Sequence, residues 1–496
     1  MTFDLRAILI FGIAALLYAG LLPPRWRTWA LFVGSVVVIY WLQPALPIRY
    51  SGYILPTVTL GLTVAVWWFT RLPDDPAQQA TLGQDRIALG VMAALVVGIS
   101  LTRLVEPEYR LIATRPPDPW LVIAALLSIG VASAGIAWLL RGRNQRCVLT
   151  VCILLIAGLF VLLKTGALAA VVSRVWRGFA GQDASLASVT DLNWLGFSYV
   201  AFRLIHTLRE RQTRQLPVLS LREYVTYVIF FPSFTAGPID RAERFAQDLR
   251  ALPAIVGMDA GRWTMGLARI MLGLFQKFVL ADSLAQGVSL NAVNAAQVNA
   301  AGWLWMLLYG YALRLFFDFS GYSDIAIGLG VLFGIRLPEN FERPYFRTSI
   351  TAFWQSWHIT LSNWARFYVF LPLSRWMLVP EHQPLGFPRG KPSPTLIVFI
   401  AQLATMIVIG LWHGVAFNFV IWGMWHAVGL FIHKQWSDRT RKWYRSLNDK
   451  PWRKRLWSAL TWFVTFQYVA LGWVWFALPD TTQAARTFMR LFGLGW

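Results

Sequence analysis

Apolar stretches about as long as a membrane is thick follow one another along almost the whole of this sequence. A helix needs about 20 mostly apolar residues to cross the hydrocarbon core of a bilayer. The stretches that meet or approach this length are 5–22, 28–43, 53–70, 87–104, 119–140, 147–164 and 190–207, followed by the less regular 223–236, 262–282, 301–317, 321–335, 350–373, 395–412, 415–433 and 456–478. Because several are short or interrupted by polar residues, we expect about 11–13 spans and additional re-entrant segments.

The composition agrees with a chain that lies mostly in lipid. Hydrophobic residues make up 57% of the 496 residues and charged residues 14%, whereas a soluble domain carries about 25% charged residues. The net charge of +21 could suggest a nucleic-acid ligand, but the basic residues lie in short clusters between apolar stretches and not along one soluble face. We therefore predict an all-α, polytopic integral membrane protein that contacts the lipid bilayer and no nucleic acid.

The basic loops predict how the chain is oriented in the membrane. Basic residues cluster around Arg25, Arg71, Arg146 and Arg209, and two apolar stretches separate each cluster from the next. Cytoplasmic loops are enriched in Lys and Arg, so these four loops are predicted to be cytoplasmic and the N-terminus to lie outside. The strongly basic loop from Lys434 to Arg455 is expected on the cytoplasmic side as well.

The apolar stretches change in character near residue 190. Before this point they contain few polar groups, whereas after it His, Asp, Asn, Arg and Ser occur inside them. A polar group in lipid is costly without a partner, so each one is a candidate functional residue or a structural pair. We predict N-terminal transmembrane scaffold helices at 1–189, a catalytic core at 190–435, and a basic loop with a C-terminal transmembrane helix at 436–496.

A run that contains proline and glycine, Phe230–Arg241, lies early in the second part. Pro232 and the pair Gly237-Pro238 each interrupt a helix, because proline lacks the backbone donor that a helix uses. The run predicts a re-entrant or broken helix at the membrane surface. An ordinary cytoplasmic turn at the end of a span is the alternative.

Asp318 follows an apolar run from Trp303 to Phe317, where a carboxylate without a partner is costly. Arg314 lies one helical turn earlier and can pair with it at the i,i+4 spacing. Two interpretations stay open for Asp318, a buried structural ion pair and a direct role in binding substrate.

His358 is the polar centre of the segment 351–362. On a continuous helix, Trp354, His358 and Ser362 fall on one face at four-residue spacing. A histidine in that setting can hydrogen-bond through one ring nitrogen and stay neutral. The residues alone therefore favour a core histidine over a functional one.

His413 lies within a long apolar region and next to Gly414, which leaves room for a partner to approach. Imidazole titrates near neutral pH, and removal from water favours the neutral ring, which can accept a proton. A general base that acts on a hydroxyl needs this property. The residue types leave a catalytic base and a buried structural histidine equally open.

In this order, the runs Gly237–Arg241, Asp318–Gly330, Trp357-His358 and Trp412–Gly414 resemble the membrane-bound O-acyltransferase family, specifically its bacterial branch. The second and third runs are similar to the alginate O-acetylase type, and the first is similar to the teichoic acid D-alanyl transferase type. The fourth is common to both types. The resemblance extends over roughly residues 190–435.

This resemblance implies a fold and a mechanism. Members of the family fold as helices around a central funnel or tunnel through the membrane. His413 matches the catalytic histidine of the family, and His358 matches its second functional histidine. An acyl thioester arrives from the cytoplasm, His413 takes the proton of an acceptor hydroxyl that arrives from the other side, and the alkoxide attacks the thioester carbonyl. His358 would orient or polarise the acyl group.

We expect further side chains in or beside these runs to contact the substrate. They are Asp318, Asn340, Trp357, Ser362, Arg366, Trp412 and Asn418. No metal site is expected, because Cys147 and Cys152 do not stack as neighbours on a helix. No bound cofactor is expected either, and the co-substrate is an acyl thioester on an acyl carrier protein or on coenzyme A.

Two departures from the bacterial relatives concern the donor. Relatives commonly have an Arg-Asp pair after the first histidine motif, whereas Phe367 follows Arg366 here. The run Leu373–Trp376 replaces a glycine-rich loop that is usual in the alginate type. Both changes lie near the expected donor entrance, so the identity of the donor stays open.

The leading hypothesis is transfer of a short acyl group, acetyl or D-alanyl, to a hydroxyl of an extracytoplasmic envelope polysaccharide or polymer. The protein would lie in a bacterial cytoplasmic membrane, with an acyl carrier protein and a periplasmic transferase as partners. One alternative is a transporter or flippase that uses Asp318, His358 and His413 as a proton relay. Another is a subunit that passes the acyl group to a separate periplasmic transferase.

Overall fold

The structure is a computed structural model that describes residues 4–140, 142–255, 259–379 and 393–494. These residues are mostly helical and contain no β-strand, although one antiparallel β-bridge joins Phe341 and Trp357. Eight helices within them are long and apolar enough to cross a membrane. The prediction of an all-α polytopic protein is confirmed, whereas the expected total of about 11–13 spans stays a prediction.

The helices of the described residues are, in chain order, α1 (Leu5–Gly20), α2 (Arg27–Trp41), α3 (Ser51–Thr70), α4 (Pro76–Ala80), α5 (Leu82–Leu101), α6 (Pro119–Leu139), α7 (Gln145–Lys164), α8 (Gly166–Phe179), α9 (Phe197–Gln212), α10 (Leu221–Ile229), α11 (Ala242–Ala251), α12 (Ala260–Leu274), α13 (Asp282–Ala285), α14 (Ala292–Gln297), α15 (Ala301–Leu332), α16 (Ile350–Trp354), α17 (Ile359–Ala365), α18 (Leu371–Met377), α19 (Pro394–His413), α20 (Phe417–Ser446), α21 (Pro451–Ala477) and α22 (Thr481–Arg490). A π-helical turn, Phe275–Ala281, joins α12 to α13.

The chain divides into two compact units. Unit 1 comprises Met1–Ile270 and Ala326–Pro338, and unit 2 comprises Met271–Ile325 and Glu339–Trp496. Helices α12 and α15 therefore contribute residues to both. The predicted division into scaffold, catalytic core and C-terminal segment describes roles in function and stays a prediction.

Several helices of unit 1 begin at side chains that satisfy the free backbone N–H groups of the first turn. Asp4 accepts a hydrogen bond from the backbone N of Ala7 at 2.7 Å, and Asn144 accepts one from the backbone N of Arg146 at 2.9 Å. A cap of this kind contributes about 1 kcal/mol. These polar residues at the edges of apolar stretches therefore define where α1 and α7 begin.

The run Phe230–Arg241 is irregular, as its prolines and glycine predict. Helix α10 before it has only nine residues, or about 13 Å, which is less than half of a hydrocarbon core of about 30 Å. The chain after α10 is buried, and Arg203 donates to the carbonyl oxygens of Val228 and Ser233 at 2.8 Å each. Gly237 packs so closely that an added Cβ would lie 2.5 Å from Ser233 Cα. A broken helix fits these contacts better than an ordinary turn.

A buried ion pair joins α8 to the chain that precedes α9. Arg177 Nε donates to Asp191 Oδ2 at 2.6 Å, and the hydroxyl of Ser173 donates to the same oxygen at 2.6 Å. Both charged side chains are less than one-tenth exposed. The hydrogen bond from Arg177 lowers the pKa of the Asp191 carboxyl below its usual value. The charged carboxylate therefore stabilises the folded state.

We expect Asp191→Asn to lower the free energy of unfolding, because Arg177 loses the carboxylate that it hydrogen-bonds. Since folding lowers the pKa of Asp191, its contribution is present at neutral pH and is lost as the pH falls through the folded-state pKa. Thermal unfolding of the purified protein across pH measures both effects. Asp74→Asn, the same change at an exposed position, is the matched control, and equal melting temperatures for the two variants would contradict the prediction.

In unit 2, α19 and α20 form a tight antiparallel pair around the turn at residues 414–416. Two glycines allow the backbones to touch. A Cβ added to Gly410 would lie 2.3 Å from the carbonyl oxygen of Phe419, and one added to Gly423 would lie 2.6 Å from that of Met406. Only glycine fits at these contacts, so these positions determine how closely the two helices pack.

Helix α21 runs antiparallel to α20. At one end, the side chain of Asn418 donates to the carbonyl oxygens of Trp475 and Leu478 at 3.0 and 3.1 Å. At the opposite end, the rings of Trp443 and Trp457 meet with a centroid distance of 4.9 Å. The two helices are therefore held together along their length by polar and aromatic contacts.

Candidate active site

His358 lies at a break between two short helices of unit 2. Helix α16 ends at Trp354, and His358 precedes α17 with φ +43° and ψ +54°. This left-handed conformation costs a non-glycine residue about 1–2 kcal/mol, so surrounding contacts must hold it. The predicted continuous helix through Trp354, His358 and Ser362 is therefore wrong.

The break redirects the side chains that were expected to share a face. The hydroxyl of Ser362 donates to the carbonyl oxygen of Trp357 at 3.2 Å. The indole of Trp354 donates to Nδ1 of His426 at 3.3 Å. Neither residue contacts the ring of His358 as the four-residue spacing predicted.

Asn340 holds this break in place from a fully buried position. The backbone N of Ile359 donates to the carbonyl oxygen of Asn340 at 2.9 Å. The side-chain oxygen of Asn340 accepts from the hydroxyl of Thr360 at 2.9 Å and from its backbone N at 3.4 Å, while the side-chain nitrogen donates to Ser323 on α15 at 3.2 Å. The ring nitrogen Nδ1 of His358 lies 3.0 Å from the same side-chain oxygen.

These contacts determine which nitrogen of His358 carries the proton. A backbone N–H can only donate, so the atom of Asn340 that faces the N–H of Thr360 is the carbonyl oxygen. Nδ1 of His358 faces the same oxygen and must donate to it. In the neutral ring, Nε2 then presents a lone pair. This Nε2 is buried and has no hydrogen-bond partner among the residues that the structure describes.

His413 is the last residue of α19 and is half-buried among aromatic rings. Its ring centroid lies 4.7 Å from that of Phe476 and 5.6 Å from that of Trp422. The C-terminal end of a helix carries partial negative charge, which favours a cation nearby. His413 therefore lies at the end of α19 that carries this partial negative charge.

The indole of Trp412 contacts both histidines. Its ring centroid lies 5.8 Å from that of His358 and 4.4 Å from that of His413. The ring of Phe319 packs edge-on against His358 at 4.6 Å. The structure thus brings together three of the predicted site residues, His358, Trp412 and Asn340, and links His413 to them through Trp412.

Other predicted substrate contacts have different surroundings. Trp357 is buried against Trp473 with ring centroids 5.1 Å apart. Asn418 is buried and its nitrogen is used by α21, whereas its side-chain oxygen has no hydrogen-bond partner in the described part of the chain. Arg366 is exposed at the start of a π-helical turn, and Phe367 after it is exposed too. A role of these residues and of Ser362 in binding substrate stays a prediction.

Asp318 pairs with Lys277, so the predicted pair with Arg314 is wrong. Lys277 Nζ lies 2.5 Å from Asp318 Oδ1, whereas Arg314 donates to the hydroxyl of Ser289 at 3.4 Å. In unit 2 the backbones around Gly273 and Gly321 are so close that a Cβ on Gly321 would lie 2.7 Å from the carbonyl oxygen of Gly273. This approach places a cation from a distant part of the chain next to Asp318, closer than its neighbour on the same helix.

Sequence reasoning missed the partners on the π-helical turn. Gln276 Nε2 donates to Asp324 Oδ2 at 3.1 Å, and the hydroxyl of Ser320 donates to Gln276. With Lys277, these side chains form a polar contact between the π-helical turn and α15. The sequence does contain an indication of these partners. Gln276 and Lys277 are polar residues inside the apolar stretch 262–282, and Asp318 is a polar residue directly after the apolar run from Trp303 to Phe317.

Sequence reasoning also missed His426. Its side chain is fully buried, and the rings of Trp422 and Trp354 lie 4.8 and 5.2 Å from it. Its Nε2 has no hydrogen-bond partner among the described residues. The sequence indicates a contact between His426 and Trp422, because His426 lies one helical turn after Trp422 on the same face of a helix.

The fold and this site define a class, a multi-pass helical membrane protein with a histidine centre lined by aromatic rings. Comparison with known proteins identifies the family. The profile of the membrane-bound O-acyltransferase family matches residues 149–381. A teichoic acid D-alanyltransferase of Streptococcus thermophilus is 33% identical over 302 residues, which cover 58% of this chain and 68% of the relative. The chain belongs to the membrane-bound O-acyltransferase family.

Two further relatives have different names. A probable alginate O-acetylase of Pseudomonas fluorescens is 32% identical over 306 residues, which cover 61% of this chain and 54% of the relative. A peptidoglycan O-acetyltransferase of Helicobacter pylori is 30% identical over 298 residues, which cover 58% of this chain and 52% of the relative. The chain thus spans about half the length of these two relatives.

The ion pair between Lys277 and Asp318 yields a test of what Asp318 does. We expect Lys277→Met to lower the free energy of unfolding by about 1–3 kcal/mol, because the carboxylate loses its charged hydrogen-bond partner. The double variant Lys277→Met, Asp318→Leu should recover most of this loss, since no unpaired charge remains. Thermal unfolding in detergent measures both.

Lys434→Met is the matched control, because Lys434 pairs with Asp438 in an exposed ion pair. Such pairs contribute about 0–1 kcal/mol, so little change is expected. A double variant as unstable as Lys277→Met alone would show that Asp318 has a structural role beyond this pair.

Proposed function

We propose that this protein is an O-acyltransferase that moves a short acyl group, acetyl or D-alanyl, from a cytoplasmic thioester to a hydroxyl of an extracytoplasmic envelope polymer. The observation that carries the proposal is the contact of His358 and His413 with one indole, in a chain of the acyltransferase family. The names of the relatives refer to alginate, peptidoglycan and teichoic acid, which supports an envelope polymer as the acceptor. The donor would be an acyl carrier protein or coenzyme A thioester.

The direction of α20 supports access of the acceptor from outside. About 26 Å of helix separates Phe417 from Lys434 at 1.5 Å per residue, close to the hydrocarbon thickness of about 30 Å. The exposed basic segment Lys434–Arg455 lies at the far end, and basic segments favour the cytoplasmic side. His413, beside the beginning of α20, would then lie near the outer face of a bacterial cytoplasmic membrane. The same rule puts the N-terminus outside.

In the proposed reaction, His413 accepts the proton of the acceptor hydroxyl. The resulting alkoxide oxygen forms a bond to the thioester carbonyl carbon and gives a tetrahedral intermediate. This intermediate collapses with cleavage of the carbon–sulfur bond, and the imidazolium of His413 returns its proton to the leaving thiolate. The C-terminal end of α19 stabilises the imidazolium between the two proton transfers, and the aromatic lining limits hydrolysis by water.

His358 would orient a substrate group in this scheme. Because its Nδ1 donates to Asn340, its Nε2 can accept a hydrogen bond but cannot donate one in the neutral ring. A thioester carbonyl has no hydrogen to give, so the tautomer disfavours polarisation of that carbonyl by His358. The group that His358 holds is therefore an N–H or O–H, such as an amide of the donor arm or the acceptor hydroxyl.

We expect His413→Ala to lower acyl transfer by about 10²–10⁴-fold, the range for loss of a positioned acid or base. His358→Ala should lower it about 2- to 13-fold, since the orienting hydrogen bond of a neutral ring is worth about 0.5–1.5 kcal/mol. The assay follows envelope polymers in cells labelled with radioactive acetate or D-alanine, which also separates the two acyl groups. His433→Ala is the matched control, since His433 bonds to Thr351 away from the two histidines.

The alternatives predict different results. Normal acylation in both histidine variants at normal expression would reject the catalytic assignment. Acylation that survives only the loss of His413 would favour a subunit that passes the acyl group to a periplasmic transferase. Absence of either label from the polymer of the wild type would favour transport.

The contact of Asn340 with His358 can be tested separately. We expect Asn340→Ala to lower acyl transfer about 2- to 13-fold, because a hydrogen bond to the neutral ring of His358 is worth about 0.5–1.5 kcal/mol and each 1.36 kcal/mol changes the rate tenfold. Asn340→Asp keeps an acceptor for Nδ1 and should restore most of the activity. Equal losses in both variants, with equal thermal stability, would contradict the assigned tautomer.

A further inference from the structure

A cleft lies between α1 and α2 in unit 1, and its lining includes none of the residues of the histidine centre. Its volume is 590 Å³, and its lining includes Ile10 and Ala14 of α1, Gly34 and Val38 of α2, and the ring of Phe231. Arg6 and Tyr18 are the polar residues among those that line it. The cleft is therefore almost wholly apolar.

One side of this cleft is open to the surroundings of the protein. Ile10, Leu17 and Leu21 line it and are 39%, 54% and 77% exposed. Apolar cavities do not hold water, and an exposed apolar face on α1, an apolar helix of 16 residues, would lie against lipid in a membrane protein. An acyl chain of a lipid from the surrounding bilayer is thus expected to fill the cleft.

The volume of the cleft fits one acyl chain and is smaller than that of a transmembrane helix. A cavity of about 150 Å³ holds one benzene, so a volume four times larger fits roughly twenty carbons. A helix about 10 Å across and as long as α1 occupies on the order of 2,000 Å³. A transmembrane helix of a partner or of a second copy could therefore lie over the open side of the cleft but not within it.

Tyr18, Arg27 and Arg262 lie at one end of the cleft, where the guanidinium of Arg27 donates to the carbonyl oxygens of Ile255 at 2.7 Å and Ala19 at 3.2 Å. The hydroxyl of Tyr18 is buried and has no hydrogen-bond partner among the described residues. The guanidinium of Arg27 lies 5.6 Å from the Tyr18 ring centroid, and the charges of Arg27 and Arg262 both act on Tyr18. Neither arginine pairs with a carboxylate in the described part of the chain. This end is therefore positively charged and has a free hydrogen-bond donor.

We propose that the cleft binds an acyl chain of an anionic phospholipid, with the headgroup at the end formed by Tyr18, Arg27 and Arg262. The loop at Arg25 between α1 and α2 belongs to the basic clusters that favour the cytoplasmic side. The lipid therefore comes from the cytoplasmic leaflet, which is rich in anionic headgroups. This inference does not depend on the proposed acyl transfer.

A photoreactive lipid tests the occupant. The full chain is placed in nanodiscs that contain phosphatidylglycerol with a diazirine in its acyl chain, irradiated, digested and analysed by mass spectrometry. We expect labelled peptides from α1 and α2. Gly34→Phe introduces a ring into open space within the cleft, because a Cβ at Gly34 meets no atom within 4 Å, and should lower this labelling about tenfold, the factor that corresponds to 1.4 kcal/mol of binding.

Gly12→Phe is the matched control. A Cβ at Gly12 also meets no atom within 4 Å, and Gly12 lies on α1 but does not line the cleft. Labelling should therefore stay at the wild-type level. Labelling that falls equally in both variants, or in neither, would overturn the proposal. So would a disulfide between two copies through Gly34→Cys, which would indicate a second copy in the cleft.

The headgroup is tested by two further comparisons. Phosphatidylcholine with the same photoreactive chain should label α1 and α2 several-fold less than phosphatidylglycerol. Tyr18→Phe should lower labelling by phosphatidylglycerol about fivefold, in line with about 1 kcal/mol for one hydrogen bond. Equal labelling by both lipids in the wild type would overturn the assignment of an anionic headgroup.

Discussion

The side chain of Asn340 is the interaction on which the candidate site depends. It receives the Nδ1 hydrogen of His358, a hydroxyl from Thr360, and reaches Ser323 on α15. In a membrane, a buried polar group must find its partners within the protein, because lipid supplies none. Asn340 satisfies this requirement for His358 at one ring nitrogen, and the other nitrogen has no hydrogen-bond partner among the described residues. The left-handed conformation of His358 persists because these contacts hold it.

A second constraint is the close approach of helices at glycine. Gly321 lets the π-helical turn that contains Lys277 lie against α15, and Gly410 and Gly423 bring α19 and α20 into backbone contact. The first contact brings Lys277 into an ion pair with Asp318. The second contact produces the short turn that leaves His413 at a helix end beside aromatic rings. The arrangement of the candidate site therefore depends on glycines, which have no side chain.

Much of the fold and part of the site could be predicted from the sequence. The length and spacing of the apolar stretches predict a helical membrane protein, and Pro232 with Gly237 predict the break after α10. His358 and His413 stand out because an ionisable group inside an apolar run needs an explanation. The pairing of Asp318 with Arg314 was wrong because the i,i+4 rule considers one helix alone, and the actual partner comes from another helix.

The sequence by itself determined the class of protein and the positions of most helices, and it singled out His358 and His413 as candidate site residues. These conclusions follow from local hydrophobicity and from the rarity of polar groups in lipid. Only the tertiary structure determined which contacts those residues make. The helix that would have placed Trp354, His358 and Ser362 on one face breaks at His358, and Asn340 selects its tautomer. Such contacts join segments that are distant in the chain, and their energies depend on distances of a few ångströms that no local pattern encodes.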